Sequence, residues 1–228
     1  MKRSRVNEII RESDAFIRSH GFALPPFANW TPKEFQARKG EARAIIDAGN
    51  GWDITDFGGG DYDRMGLFLF TLRNGRLADL RRGGGMCYAE KLLISKDAQI
   101  TPHHTHVIKA EDIINRGGGT LVVELFGSDG EGRFSENQGG RVHCDGLAVP
   151  YGPGQRLRLQ PGESVTLLPG DWHAFWAEGG TALIGEVSTV NDDEIDNVFR
   201  EPIGRFASIE EDEPPFRLLV SDYRQWLM

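Results

Sequence analysis

Between residues 52 and 190 the chain consists of short apolar or alternating runs cut apart by Gly, Asn-Gly and Pro-Gly, and this pattern constrains the fold more than any other. The runs lie at 65–72 (MGLFLFTL), 88–94 (YAEKLLI), 120–126 (TLVVELF), 164–168 (SVTLL) and 181–187 (TALIGEV). Between them stand glycine triplets at 58–60, 83–85 and 117–119, and the pairs Asn74-Gly75, Gly139-Gly140, Pro161-Gly162 and Gly179-Gly180. Runs this short alternate inward and outward on a pleat, and many of them in succession predict an all-β sandwich or barrel. The first 50 residues read differently. Val6, Ile9, Ile10, Phe16 and Ile17 fall near a 3.6-residue period, with Gly21 as a stop. Thr31-Pro32-Lys33-Glu34 combines an N-cap, a first-turn proline and a capping glutamate, so a second helix is expected to about Ala48. The tail is acidic at 191–196 and 209–215, with a closing strand expected at 216–220. No linker demands a second domain. A single domain over 1–228 is expected, with helical 1–50, a barrel over about 52–190 and a C-terminal closing segment.

The segment that points to chemistry is Thr101-Pro102-His103-His104-Thr105-His106, followed by Glu111. On a strand, His104 and His106 share one face and His103 takes the other. Two imidazoles on one face reach one ion. Glu111, after a short turn, can enter from the next strand. Far downstream, Pro169-Gly170-Asp171-Trp172-His173 introduces a strand at a further histidine. Three imidazoles and a carboxylate suit one divalent ion of the Mn, Fe, Co, Ni or Zn group and are too rich in nitrogen for Ca or Mg. Four protein ligands leave two positions of an octahedral ion open to adjacent oxygens of a substrate. His103 is expected to face solvent or pack outside the barrel, and His20 and His143 are expected to be non-ligands.

Charge and composition exclude several classes. Lys and Arg number 26 against 34 Asp and Glu, a formal charge of −8, which argues against nucleic acid or an anionic membrane as partner. No apolar stretch approaches the length of a membrane span, and the N-terminus lacks an apolar signal region. Cys87 and Cys144 are too few for a disulfide scaffold, are expected to be buried apolar residues rather than nucleophiles, and point to the cytoplasm. The glycine triplets do not match a dinucleotide fingerprint.

His104-x-His106-x4-Glu111-x6-Gly118 resembles the first motif of the cupins, and Pro169-Gly170-Asp171-Trp172-His173 resembles the second. This sequence departs from those motifs in three places: Ala98 stands where a glycine is usual, Pro169 and Gly170 adjoin, and Ala177 takes an asparagine's place. The implied fold is mainly β, a cupin β-barrel of jelly-roll type with N-terminal helices packed outside. A closer resemblance spans nearly the whole chain. Leu24-Pro25-Pro26-Phe27-Ala28, Gly51-Trp52-Asp53-Ile54-Thr55, Cys87-Tyr88-Ala89-Glu90-Lys91, the block from Glu111 to Gly119, Phe175-Trp176-Ala177-Glu178 and Gly185-Glu186-Val187-Ser188 all resemble the D-lyxose isomerases. That resemblance implies interconversion of D-lyxose and D-xylulose, often of D-mannose and D-fructose, one Mn2+ per chain, and a homodimer.

An aldose–ketose isomerase working through a cis-enediol needs a metal site, a base and a proton donor near the sugar oxygens. His104, His106, Glu111 and His173 are the expected ligands. Glu186, a carboxylate inside the apolar run 182–187, is the leading base, since its burial without a role would be costly. Lys91 is preferred over Glu90 as the inward-facing donor, because neighbours on a strand alternate. Lys109 is either a solvated charge or a substrate contact. Asp192 and Asp193 follow the Glu186 strand and are either solvated or sugar contacts at the barrel mouth. Trp172, with Phe175 and Trp176, is core packing or a stacking surface for a sugar ring. Two other readings remain open here: a non-heme iron cupin dioxygenase and a sugar-binding cupin without catalysis.

Overall fold

The computed structural model describes residues 1–190, 192 and 195–227. Its strands are β1 (Gly51–Thr55), β2 (Leu67–Asn74), β3 (Tyr88–Ser95), β4 (Thr101–His106), β5 (Glu111–Phe126), β6 (Gly140–Cys144), β7 (Leu147–Tyr151), β8 (Gln155–Leu159), β9 (Ser164–Leu167), β10 (Trp172–Thr189) and β11 (Asn197–Phe199). The helices are α1 (Arg3–Ser19), α2 (Pro32–Ala37), α3 (Arg43–Asp47), α4 (Leu77–Arg82) and α5 (Tyr223–Trp226). Pairing between the named strands is antiparallel throughout. One layer runs β1-β2-β3-β10-β5-β9-β6-β7, and a second runs β11-β4-β10-β5-β8. Both contain β5 and β10, so these two strands bend from one layer into the other and make the fold a cupin-like barrel.

Alternation sorts the side chains as the pleat demands. On β2 and β3, Leu67, Leu69 and Leu93 enter the barrel core, whereas Phe68, Phe70, Leu92 and Ile94 face outward. That outward face does not meet water. Val6, Ile9, Ile10 and Ile17 of α1 cover it and are fully buried there. Removing each such side chain from water contributes about 1.5–3 kcal/mol. The helix is thus the outer wall of the sheet that carries part of the site. Arg3, itself fully buried, forks onto Asp222 at 2.9 and 2.8 Å and onto Glu211 at 2.8 and 2.6 Å, which ties the start of α1 to the C-terminal segment.

The structure differs from the sequence expectations at four places. The helix expected over 31–48 is two short ones, α2 and α3, with a turn at 38–42 around Gly40. Its N-terminal capping box forms as read, with Glu34 N–H donating to Thr31 Oγ1 and Thr31 N–H to the Glu34 carboxylate. Residues 216–220 do not form a strand; Leu219 makes a single bridge to Trp52, and the chain turns into a 3-10 helix over Val220–Asp222. The glycines at 117–119 and 179–180 do not end strands but lie inside β5 and β10. Gly118 and Gly179 take φ of +89° and +76°, so the paired strands bend there while the ladder resumes on both sides. Cys87 and Cys144 are half-buried rather than buried.

Ala98, in the place of the usual cupin glycine, keeps the glycine conformation at φ +58°, while its N–H donates to Ala177 O at 2.8 Å. A left-handed alanine costs about 1–2 kcal/mol. Ala98→Gly should therefore raise the thermal midpoint by a few degrees, offset in part by the greater freedom of glycine in the unfolded chain. An unchanged or lower midpoint in calorimetry would contradict this.

Candidate metal centre and active site

The four expected metal-site residues converge. His104 and His106 project from one face of β4 with ring centroids 5.2 Å apart. The turn at 107–110 reverses the chain, so Glu111 opens β5 beside them. His173, second residue of β10, lies opposite His104 in register, with ring centroids 4.1 Å apart. One donor atom from each of the four comes within 4.8 Å of all the others, and all four residues are buried. The adjoining Pro169-Gly170 supports this placement: Gly170 has φ +92°, and its N–H donates to Thr105 Oγ1 at 3.1 Å, pinning the turn to β4. His103 points away, with Nε2 3.0 Å from Glu124 and its ring against Phe126 and Phe134. His143 is exposed on β6, and His20 follows α1.

The protonation pattern fits a cation. His104 Nδ1 lies 2.9 Å from Pro102 O, and His173 Nδ1 lies 3.0 Å from Asp171 O. A ring nitrogen facing a carbonyl must donate, so Nδ1 carries the proton and Nε2 is left as an acceptor. Yet His173 Nε2 is buried, makes no hydrogen bond, and stands 3.3 Å from Glu111 Oε1. Two acceptors that close repel unless a positive centre lies between them. Burial lowers the His104 and His106 imidazoles below their ordinary value, helped at His104 by His173 and at His106 by Lys109. Burial alone would raise the Glu111 carboxyl; Lys109 and His106 outweigh it and hold it well below the usual carboxylate range. His104, His106 and Glu111 are thus biased toward neutral imidazoles and an ionised carboxylate, the states that bind a metal.

A row of charges adjoins this cluster. Glu186 pairs in register with Lys91, and both side chains enter the barrel, with Lys91 Nζ 3.3 Å from Glu186 Oε1. Lys109 is not solvated but buried, 2.6 Å from Glu111 and 3.0 Å from Glu186. Burial again raises the Glu186 carboxyl, but Lys109 and Lys91 together hold it below its ordinary value. The inward position of Glu186 depends on a register shift. On an unbroken strand, residues 173 and 186 would face opposite ways. The alternation of β10 changes between Ala177 and Ala182, which both face the core, at the shift between Glu178 and Ala182; on the partner strand β5, Leu183 faces Gly117 while Ile184 faces Asn115, which leaves Arg116 bulged. The Asn115 side chain holds the bulge, donating to Gly119 O and Leu159 O at 2.9 Å each and accepting from Gly117 N–H.

Six of these seven charged and imidazole residues, all but His173, line one cavity, whose remaining wall is largely apolar, including Leu69, Leu93, Ile113, Phe175 and Phe199. Trp172 does not line it; its ring faces away from His173, with Nε1 donating to Ser128 Oγ at 3.2 Å and its edge against Phe134. Asp192 lines a separate outer cavity, and Asp193 lies outside the described residues. Two residues escaped the sequence reading. Asp196, buried, accepts the backbone N–H of Val107, Ile108 and Lys109 at 3.0, 2.6 and 3.1 Å, and so fixes the turn that carries His106, Lys109 and Glu111. Arg205 lines the cavity from a loop. Neither has a local signature, since Asp196 sits in an acidic run and Arg205 in a stretch with no periodicity.

Comparison with known proteins places this geometry in context. A family model described as D-lyxose isomerase matches residues 1–223. The D-lyxose/D-mannose isomerase of Escherichia coli O157:H7 is 44% identical over 229 residues, covering 99% of this chain and 100% of that protein. The protein of the same description from Serratia proteamaculans is 45% identical over 230 residues, covering 100% of both. Among solved structures, the L-ribose isomerase of Cellulomonas parahominis with L-psicose superposes with a TM-score of 0.61 at 18% identity, over 92% of this chain and 98% of that one, a likeness of fold.

Two outcomes follow from the geometry. Alanine at His104, His106 or His173 should each empty the protein of divalent metal by elemental analysis, whereas His103→Ala should retain it; loss at His103 would mean that the outward ring contributes. The second concerns pH. Imidazoles held low by folding leave the unfolded chain binding more protons once the pH falls below about 6.5, so their contribution is complete above that value and is lost below it. The depressed Glu111 and Glu186 lose theirs only on further acidification, below about pH 4.3. The thermal midpoint of chelator-treated protein should fall between about pH 7.5 and about pH 5.5. A midpoint constant over that range would contradict it.

Proposed function

The chain belongs to the D-lyxose isomerase family, and on that premise we propose that this sugar isomerase interconverts D-lyxose with D-xylulose and D-mannose with D-fructose by proton transfer between C1 and C2. The observation that carries this reading is the buried Glu186 carboxylate, 3.0 Å from Lys109 and 3.3 Å from Lys91, in the same cavity as His104, His106 and Glu111, with His173 3.3 Å from Glu111 behind them. An acid–base pair beside a metal-competent cluster is what an enediol route requires. A non-catalytic sugar binder would have no use for it.

In this reading His104, His106, Glu111 and His173 hold one divalent ion, for which Mn2+ is the choice that the family resemblance supports. When bound, the ion supplies Lewis-acid stabilisation of negative charge on the sugar oxygens. Glu186, held ionised by the two ammonium groups, takes the proton from C2 of the aldose. The C2–H electron pair becomes the C1–C2 double bond, and O1 receives a proton from a lysine, Lys91 or Lys109. The lysine is restored by the O2 proton as the C2 carbonyl forms, and Glu186 delivers its proton to C1. Lys109 also bridges Glu111 and Glu186, so base and ligand keep a fixed separation. The apolar walls keep bulk water from the transferred proton.

The same reading takes residues 1–228 as one cupin domain, acting as a homodimer in the cytoplasm. The single continuous sheet supports one domain, the two cysteines left free support a reducing compartment, and the homodimer follows the family resemblance.

Mn2+-reconstituted protein should form ketose from D-lyxose and D-mannose. Glu186→Gln should keep its metal, with a lower thermal midpoint because Lys91 loses its counter-charge, while turnover of the protein that remains folded falls by roughly 10²–10⁴-fold, because the amide cannot accept the carbon-bound proton. In deuterated water the wild type should leave deuterium at C2 of recovered aldose. A Gln variant at full rate would move the base to another group.

A further inference from the structure

Two of the three clustered histidines are held from behind by the main chain. His104 turns Nδ1 onto Pro102 O and His173 turns Nδ1 onto Asp171 O, in each case the carbonyl two residues earlier. His106 is held differently. Its Nε2 faces the cluster, 3.2 Å from Glu111 Oε1, as the Nε2 of His173 does at 3.3 Å. Its Nδ1 is buried and makes no hydrogen bond among the described residues. A carboxylate stands behind it: Asp196 Oδ2 lies 3.9 Å from Nδ1, and both side chains are only 4% exposed. A histidine that gives Nε2 to a metal carries its proton on Nδ1, and a buried N–H requires an acceptor.

The same carboxylate organises the turn that follows. Strand β11 pairs antiparallel with β4, with Asn197 opposite His106, so residue 196 falls beside the 107–109 turn. The Asp196 carbonyl accepts Val107 N–H at 3.2 Å. Its Oδ1 accepts Val107 N–H at 3.0 Å and Ile108 N–H at 2.6 Å, and its Oδ2 accepts Lys109 N–H at 3.1 Å. The two oxygens thus have separate duties. Oδ1 closes the turn, whereas Oδ2 faces the Lys109 amide and the His106 ring together. Lys109 in turn contacts both carboxylates of the cavity.

We propose that Asp196 is a positioning residue of the metal centre: its Oδ2 is the acceptor that fixes the His106 ring with the proton on Nδ1, and the same carboxylate sets the turn that delivers Lys109 and Glu111. It acts through these residues rather than on the sugar or the ion. The proposal rests on the reading of His104, His106, Glu111 and His173 as holders of one divalent ion, and not on which sugar is turned over.

The test is Zn2+ affinity, read by competition with a chromophoric chelator well below the thermal midpoint, on the full chain as wild type, Asp196→Asn, Asp196→Ala and Asp222→Asn. Asp222 is the control. It is a buried carboxylate that also accepts a main-chain N–H, from Leu219 at 2.9 Å, and it pairs with Arg3; neither residue lines the inner cavity. In Asp196→Asn the amide oxygen still closes the turn, whereas the NH2 meets the Lys109 N–H and the His106 Nδ1–H as donor against donor. A group that orients a metal-bound histidine is worth about 10–100-fold in metal affinity. Asp196→Asn should therefore weaken Zn2+ binding by about tenfold or more, and Asp196→Ala by at least as much. Asp222→Asn should change it by less than about twofold although its midpoint falls, because the site is remote. Nitrogen-15 spectra of the Zn2+-loaded wild type should show the His106 proton on Nδ1, protected from solvent exchange. Unchanged affinity in both Asp196 variants, a loss no greater than that of Asp222→Asn, or His106 protonated on Nε2 in the loaded protein would overturn the assignment. If neither Asp196 variant folds, the wild-type spectrum decides: a protected Nδ1–H supports the assignment, and an unprotected one overturns it. A wild type that binds no Zn2+ would overturn the metal-centre reading and this proposal with it. Ketose formation plays no part in these readouts, so a failure of the isomerase reading shows separately, in the turnover assay.

Discussion

The pairing of β5 with β10 is the constraint on which the rest of the structure depends. These are the two longest strands, and both belong to each of the two layers. Their first and second halves pair in different registers, separated by the bulge at Arg116 and the shift near Gly179 and Gly180. A one-residue change of register moves every side chain to the other face. The change near Gly179 and Gly180 turns His173 from one half of β10 and Glu186 from the other to the same inner side of the barrel. The buried Asn115 side chain, bonded to Gly117, Gly119 and Leu159, keeps the bulge where it is.

The charges inside the barrel form an alternating chain: Lys91, Glu186, Lys109, Glu111, and then the imidazoles. Isolated, any one of them would be destabilising at this depth, since breaking a buried pair costs about 3–5 kcal/mol. Together the ammonium groups hold the two carboxyls below their ordinary range. Lys109 is the central member because it contacts both carboxylates. Its position comes from Asp196, whose carboxylate takes the three N–H groups of the turn before Glu111. The architecture thus places a structural carboxylate behind a functional turn, and a functional carboxylate on a bent strand.

Much of the site was legible from the residues. The His-x-His spacing on a strand, Glu111 after a turn and His173 after Pro-Gly named the cluster, because alternation and turn chemistry are local rules. Lys91 was separated from Glu90 by the same rule, and the structure has Lys91 entering the barrel while Glu90 pairs with Arg73 on the outside. Glu186 was chosen from the cost of burying a carboxylate in an apolar run. Trp172 and Asp192, chosen for chemical type and proximity in sequence, lie off the inner cavity.

The sequence by itself determined what short-range physics determines: the β class from runs and breaks, the helical N-terminus from its period and cap, and the metal-site set from spacing on one strand. Tertiary structure decided whatever needed two distant segments in contact. It made bends of glycines that read as turns, because strand pairing on both sides outweighed the local preference for a break. It gave residues 216–220 a single bridge and a helical turn where their apolar character suggested a strand. It brought Asp196 under the 107–109 turn and Arg205 against Asp53, partners up to 89 residues apart in the first case and 152 in the second. A carboxylate in an acidic loop carries no mark of the amides it will meet, because that meeting exists only once the barrel has closed.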